Sequence, residues 1–176
     1  MVSLDSIAAY LTEQPDQPPI EQWQPALNGD IDILIDTNGR WFHEGGEIQR
    51  QELVQLFASI LRREDDGEYY LITPTEKWRI RVEGAPFMVV DMDRVQGTFG
   101  FLLNTGQRYV LSDDYQLQID HSGDEPVPYL TLNRGLKAKL NRNVFYRLID
   151  AADEVDGHLV LRTDNTLLDL GSVNTH

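Results

Sequence analysis

Three groups of residues carry side chains that could do chemistry. The first is the run Arg62-Arg63-Glu64-Asp65-Asp66-Gly67-Glu68. Carboxylates this dense are the hard oxygen ligands that Mg²⁺ or Ca²⁺ takes. With Glu76 they would equip a metal-assisted hydrolase. The spacing is not that of an EF-hand loop, which needs alternating ligands and a distant Glu. No metal site is assigned; Glu64, Asp65 and Asp66 are the residues that would hold one. The favoured reading is a polar helix-to-strand connection with local ion pairs, because exposed charge runs are usually solvated. The second group is Thr73-Pro74-Thr75-Glu76-Lys77. Pro74 fixes the backbone and removes a ladder donor. Glu76 is expected to pair with Arg62 or Arg63 as a structural ion pair. As a glycosidase acid it would need a second carboxylate at a set separation, and the sequence places none.

The third group is a basic window. No acidic residue falls between Pro126 and Ile149, and Arg134, Lys137, Lys139, Arg142 and Arg147 all lie there. That is one third of the 15 basic residues of an acidic chain. Arg134-Gly135 reads as a turn whose N–H groups can face an anion. One reading is a site for phosphate, carboxylate or an acidic partner segment. The other is a patch that pairs with the protein's own acidic surface.

Other chemistries are excluded by what is missing. There is no cysteine, so thiolate nucleophiles, zinc–thiolate sites, iron–sulfur clusters and disulfides are out. His43, His121, His158 and His176 show no helical metal spacing and no H-E-x-x-H. No G-x-S-x-G elbow or glycine-rich phosphate loop occurs. No catalytic residue and no cofactor is assigned. The balance of 29 acidic and 15 basic residues gives −14, which argues against nucleic acid and anionic membranes as partners. Met1-Val2-Ser3-Leu4-Asp5 lacks a basic n-region, and no apolar run is long enough to span a bilayer. A cytoplasmic bacterial protein is the expectation.

The elements that must position these residues can be read from periodicity. Leu4, Ile7, Ala8 and Leu11 predict a short helix over 4–13, capped by Ser3 and ended by Pro15. Pro15, Pro18, Pro19 and Pro25 then hold a strap anchored by Trp23. Ile31, Ile33 and Ile35 alternate with polar residues as a half-buried strand. Asn38-Gly39 predicts a type I′ hairpin into Trp41 and Phe42, and Gly45-Gly46 ends the return strand. Leu53, Val54, Leu56, Phe57, Ile60 and Leu61 make one face of a helix over about 50–62, with Arg62 and Arg63 in its last turn. From Tyr69 onward short strands alternate with turns, and the pattern reads as a meander curling into a roll or small barrel. A second helix is expected near 143–153, capped by Asn143. Leu159–Leu161 and Leu167–Leu170 close as a hairpin around Asp164-Asn165. No internal repeat is visible.

Four segments together carry a resemblance. They are Asp36-Thr37-Asn38-Gly39-Arg40-Trp41-Phe42-His43-Glu44-Gly45, the run from Leu56 through Arg62-Arg63-Glu64-Asp65-Asp66-Gly67, Tyr70-Leu71-Ile72-Thr73-Pro74-Thr75-Glu76-Lys77, and Val82-Glu83-Gly84-Ala85-Pro86-Phe87. In this order they resemble the bacterial domain-of-unknown-function 1285 family, over about residues 28–160. Gly46-Glu47-Ile48 departs from that family's usual small-Pro-Ile step. The resemblance implies an α+β fold in two joined parts, the second mainly β, and implies no reaction, cofactor or partner.

The expected fold is therefore α+β. A helix/hairpin/helix lobe over 1–83 joins a mainly β roll or barrel lobe over 84–176. The expected function is a non-enzymatic ligand-binding or adaptor module, with the basic window as its site for a small anionic ligand or an acidic protein partner. The alternatives are the metal-assisted hydrolase and a subunit of a larger assembly that buries aromatics such as Trp23, Tyr69 or Tyr129. A homodimer is left open.

Overall fold

The computed structural model describes residues 7–9, 18–162 and 167–172. The predicted N-terminal helix lies mostly outside the described residues, with residues 7–9 helical. The Ser3 cap, Pro15, the Asp164-Asn165 turn and His176 also lie outside them. The chain divides into two compact units. The first runs to Pro86 and takes in Arg134–Leu136; the second holds Phe87–Asn133 and the chain from Lys137.

In the first unit a 3-10 turn at Ile20–Gln22 precedes strand β1 (Leu27–Ile35). Strands β2 (Trp41–His43) and β3 (Gly46–Glu47) follow, then helix α1 (Gln51–Ala58). Strands β4 (Leu61–Arg63), β5 (Tyr69–Ile72) and β6 (Lys77–Val82) complete it. The sheet order is β3-β2-β1-β6-β5-β4, with β1 and β6 parallel and the other pairs antiparallel. Alternation sends Ile33 and Ile35 to the core, where both are fully buried. Trp41 stacks on Phe57 of α1, 6.5 Å between centroids. Each such side chain contributes about 1.5–3 kcal/mol by leaving water.

In the second unit β7 (Phe87–Val95), β8 (Thr98–Leu103) and β9 (Arg108–Val110) form one meander. Strands β10 (Leu117–Asp120), β11 (Val127–Thr131) and β12 (Lys137–Leu140) form another. The order is β10-β11-β12-β7-β8-β9, with β12 and β7 parallel. Helix α2 (Arg142–Ala151) packs on β7 and on β14 (His158–Arg162). Strand β14 lies between β13 (Asp153–Val155) and β15 (Leu167–Ser172) in a small antiparallel sheet.

Several expectations are corrected. The fold is α+β in the broad sense but mostly β. The first unit is a mixed sheet with the short helix α1 beside the helical residues 7–9, and most of the first helix of the expected helix/hairpin/helix lobe lies outside the described residues. The second is no closed roll or barrel, because β10 and β9 end their sheet unpaired with one another. A repeat is also present. In each unit two three-stranded meanders meet where the first strand of one runs parallel to the last strand of the other. It is a repeat of topology, carried by two different sequences.

Helix α1 ends at Ala58, and Arg62 and Arg63 belong to a strand. Ser59 stops the helix by donating its hydroxyl to the Leu56 carbonyl at 2.6 Å. Leu61 then pairs with Leu71, so tertiary pairing overrides a helical apolar face. Asn38-Gly39 is not a type I′ turn. Only Gly39 has positive φ there, +79°, and Gly39 N–H donates to Asp36 O while Asp36 N–H donates to Arg40 O. That is a three-residue loop with a left-handed glycine. Gly46 opens β3 and does not end β2. The cap of α2 is Asn141, whose side chain accepts from Val144 N at 2.8 Å; Asn143 lies inside the first turn.

Candidate functional site

Arg62 and Arg134 are consumed by structure. Arg62 is buried. Its Nη1 donates to Ile20 O at 2.9 Å and Trp23 O at 3.0 Å, and its Nε and Nη2 go to Glu64 Oε2. Arg134 Nε meets Glu21 at 2.5 Å, Nη1 meets Ser59 O at 2.7 Å, and Nη2 meets Pro18 O at 2.8 Å. The two forks hold the strap at Pro18–Trp23. Arg134 sits at φ +62° and Gly135 at +70°. This turn brings the Gly135 backbone against Arg63, where an added Cβ would lie 3.0 Å from the Arg63 carbonyl oxygen.

The acidic run does not converge. Glu64 faces Arg62 and Lys77. Burial pushes its carboxyl up, but hydrogen bonds from Lys77 and Arg62 outweigh it, and the result lies below the usual value. Asp66 instead accepts from the Tyr70 hydroxyl and from Glu68 N. Among the described residues no group of three or more His, Asp or Glu is placed to hold a metal. Lys77 Nζ also lies 4.3 Å from the Tyr70 ring centroid, a cation–π contact.

Thr73 is buried and closes a tight turn. Its N–H donates to Glu76 O at 2.9 Å, and its Oγ1 accepts from Glu76 N at 3.0 Å. The ion pair expected of Glu76 with Arg62 or Arg63 is not formed among the described residues. Glu64 takes that place on Arg62, because side chains two apart along an extended chain share a face. Arg63 is exposed and lies over Tyr69, 5.6 Å from the ring centroid.

The basic window is divided. Arg134 belongs to the first unit and the other four residues to the second. Arg147 is tied to Asp91 at 2.5 Å and to Met92 O at 2.6 Å. Arg142 begins α2 and is exposed. Lys137 and Lys139 alternate with the buried Ala138 and Leu140 on β12, so both point to the sheet's outer face. Tyr129 is the cross-strand partner of Lys139, and Thr131 that of Lys137. Lys137 Nζ lies 4.2 Å from the Tyr129 ring centroid. Among the described residues Lys137, Lys139 and Arg142 make no ion pair. Lys137 helps hold the Asp120 carboxyl below its usual value, behind hydrogen bonds from the Ser122 side chain and backbone. Sequence reasoning missed Tyr129 as the platform between the lysines. The alternation Lys137-Ala138-Lys139-Leu140 was the signal for it.

Of the aromatics expected to be exposed, Tyr69 is buried, while Trp23 and Tyr129 are half-buried. No helix among the described residues is long and apolar enough to cross a membrane, which says nothing of membrane β-barrels.

Two six-stranded mixed sheets with few helices define an α+β protein whose halves share a topology. The chain belongs to the DUF1285 family. Its N-terminal domain of unknown function matches residues 18–85, and its C-terminal counterpart matches residues 86–167. The chain is similar to the crystal structure of a DUF1285 family protein from Silicibacter pomeroyi DSS-3. Identity is 35%, the TM-score is 0.88, and coverage is 98% of this chain and 97% of that one. It is also similar to a DUF1285 family protein from Shewanella baltica OS155. There identity is 33%, the TM-score is 0.56, and coverage is 67% and 90%. No curated protein matches the chain.

Proposed function

We propose that this chain is a non-catalytic binding module whose second unit takes an anionic group, phosphate or carboxylate, on the outer face of β11 and β12. One observation carries the reading. Lys137 and Lys139 flank Tyr129 on a single sheet face, with Lys137 4.2 Å from its ring, and neither lysine has an ion-pair partner among the described residues. In a chain of net charge −14, two lysines that make no ion pair on one face stand out, with the Asp120 carboxylate acting on Lys137 only through space. Beside an aromatic ring they supply charge and a stacking surface together.

The other members of the basic window serve differently. Arg134 and Arg147 bind the protein's own carbonyls and carboxylates. The metal-assisted hydrolase has less support, because Glu64 and Asp66 are turned to different partners.

Calorimetric titration with inorganic pyrophosphate tests the reading. Binding is expected in low salt and is expected to weaken as salt rises. The double variant Lys137→Glu plus Lys139→Glu is expected to abolish it at unchanged unfolding temperature. Equal affinity in that variant would overturn the proposal.

A further inference from the structure

The lysine face of the second unit has a floor that a bare anion does not use. Ala138 and Leu140 of β12 are buried, so Lys137 and Lys139 turn outward. Two residues of a strand span about 7 Å, a gap that one phosphate bridges between two long side chains. Phe87 and Val89 of β7 are buried as well, so Met88 between them turns outward too. Lys139 has Met88 as its cross-strand partner on one side and Tyr129 on the other. Neighbouring strands lie about 4.8 Å apart, so Met88, Lys139 and Tyr129 make a row about 10 Å long.

Met88 and Tyr129 are only half-buried, so a thioether and a ring flank Lys139 in contact with water. The two lysines are not equivalent. Lys137 Nζ already rests against a ring, 4.2 Å from the Tyr129 centroid, and the Asp120 carboxylate acts on it through space. Lys139 makes neither a ring contact nor an ion pair among the described residues. Its neighbour on β7 is the Met88 thioether, and sulfur favours contact with an aromatic ring. A ring laid there would give Lys139 the contact that Tyr129 gives Lys137.

We propose, resting on the reading of this face as an anion site, that its ligand is an aryl phosphate, with the phosphate on Lys137 and Lys139 and the ring over Met88. Inorganic phosphate would use the charges and leave the Met88 side chain in water. A saturated ring would cover a similar area without the sulfur or ammonium contact.

An NMR titration of the full chain with methyl, cyclohexyl and phenyl phosphate tests it. At pH 8 each ester carries two charges, because the second phosphate pKa is about 6. Phenyl phosphate is expected to bind about fivefold more tightly than cyclohexyl phosphate, the scale of one ring contact. It is expected to shift the amide of Met88 as well as those of Lys137 and Lys139. In Met88→Ala the preference for phenyl over cyclohexyl is expected to fall close to one; should that variant not fold, the wild-type comparison decides alone. Equal affinity for the phenyl and cyclohexyl esters, or a preference that survives in folded Met88→Ala, would overturn the proposal. Methyl phosphate binding that is lost in Lys137→Glu plus Lys139→Glu would in that case leave the anion site standing. No binding of any of the three esters would overturn both.

Discussion

Arg62 and Arg134, distant in sequence, hold carbonyls of one strap: Arg134 Nη2 lies 2.8 Å from Pro18 O, and Arg62 Nη1 lies 2.9 Å from Ile20 O. Each guanidinium also binds a glutamate, Glu64 for Arg62 and Glu21 for Arg134. The strap is therefore fixed by charge-assisted bonds to backbone oxygens, with Ile20 fully buried beneath it.

Removing the Arg62 fork takes a donor from Ile20 O, Trp23 O and Glu64, which keeps Lys77, and removing the Arg134 fork takes one from Pro18 O, Ser59 O and Glu21. Arg62→Ala is expected to cost about 3 kcal/mol, the scale for stranding a buried partner. Arg134→Lys is expected to lose most of what Arg134→Ala loses, because one ammonium cannot reproduce a planar fork on three acceptors. Urea unfolding of the three variants checks both. Full rescue by lysine would contradict the fork.

Acid is expected to loosen the first unit through Glu64. Its folded carboxyl lies below its ordinary value of 4.5. The contribution is thus fully present above that ordinary value and is lost as pH falls through the lower, folded one. Denaturation midpoints should fall in the acid range and fall less in Glu64→Gln. Identical acid sensitivity of both proteins would contradict this.

Two left-handed glycines separate strain from contact. Gly45, at φ +85°, has no atom within 4 Å of a built Cβ, whereas Gly135, at +70°, meets the Arg63 carbonyl oxygen at 3.0 Å. Gly45→Ala should cost about 1 kcal/mol, the left-handed penalty alone. Gly135→Ala should cost more and disturb the Arg63 N–H bond to Arg134 O. Equal losses in thermal unfolding would show that the close approach carries no weight.

Millimolar Mg²⁺, Mn²⁺ or Ca²⁺ should leave the unfolding temperature unchanged, since a native-state ligand would raise it by mass action. Glu64 faces Lys77 and Arg62, and Asp66 accepts from Tyr70. A clear rise would favour the metal-assisted reading.

The sequence revealed the strands better than their partners. The strand-and-turn character from Tyr69 onward is legible, because short apolar runs such as Thr98–Leu103 lie between turn residues at Gln96-Gly97 and Thr105-Gly106. The apolar periodicity runs past the end of helix α1, because Ile60 and Leu61 continue its apolar face while Leu61 pairs with Leu71. The strand Lys137–Leu140 was hidden, since four residues between a turn and a helix give too short a period to read. The parallel pairs β1–β6 and β12–β7 join residues far apart in the chain, and nothing local encodes them. The same limit governs the site. Spacing grouped Arg134 with Lys137, but the left-handed turn at Arg134-Gly135 sends the two into different units.

The most direct test of the anion-binding account is a pyrophosphate titration of isotope-labelled protein followed by amide shifts. Perturbations confined to Tyr129, Thr131 and Lys137–Leu140, and absent in the Lys137→Glu plus Lys139→Glu variant, are the predicted result. Shifts elsewhere, or none at any concentration that leaves the protein folded, would contradict it.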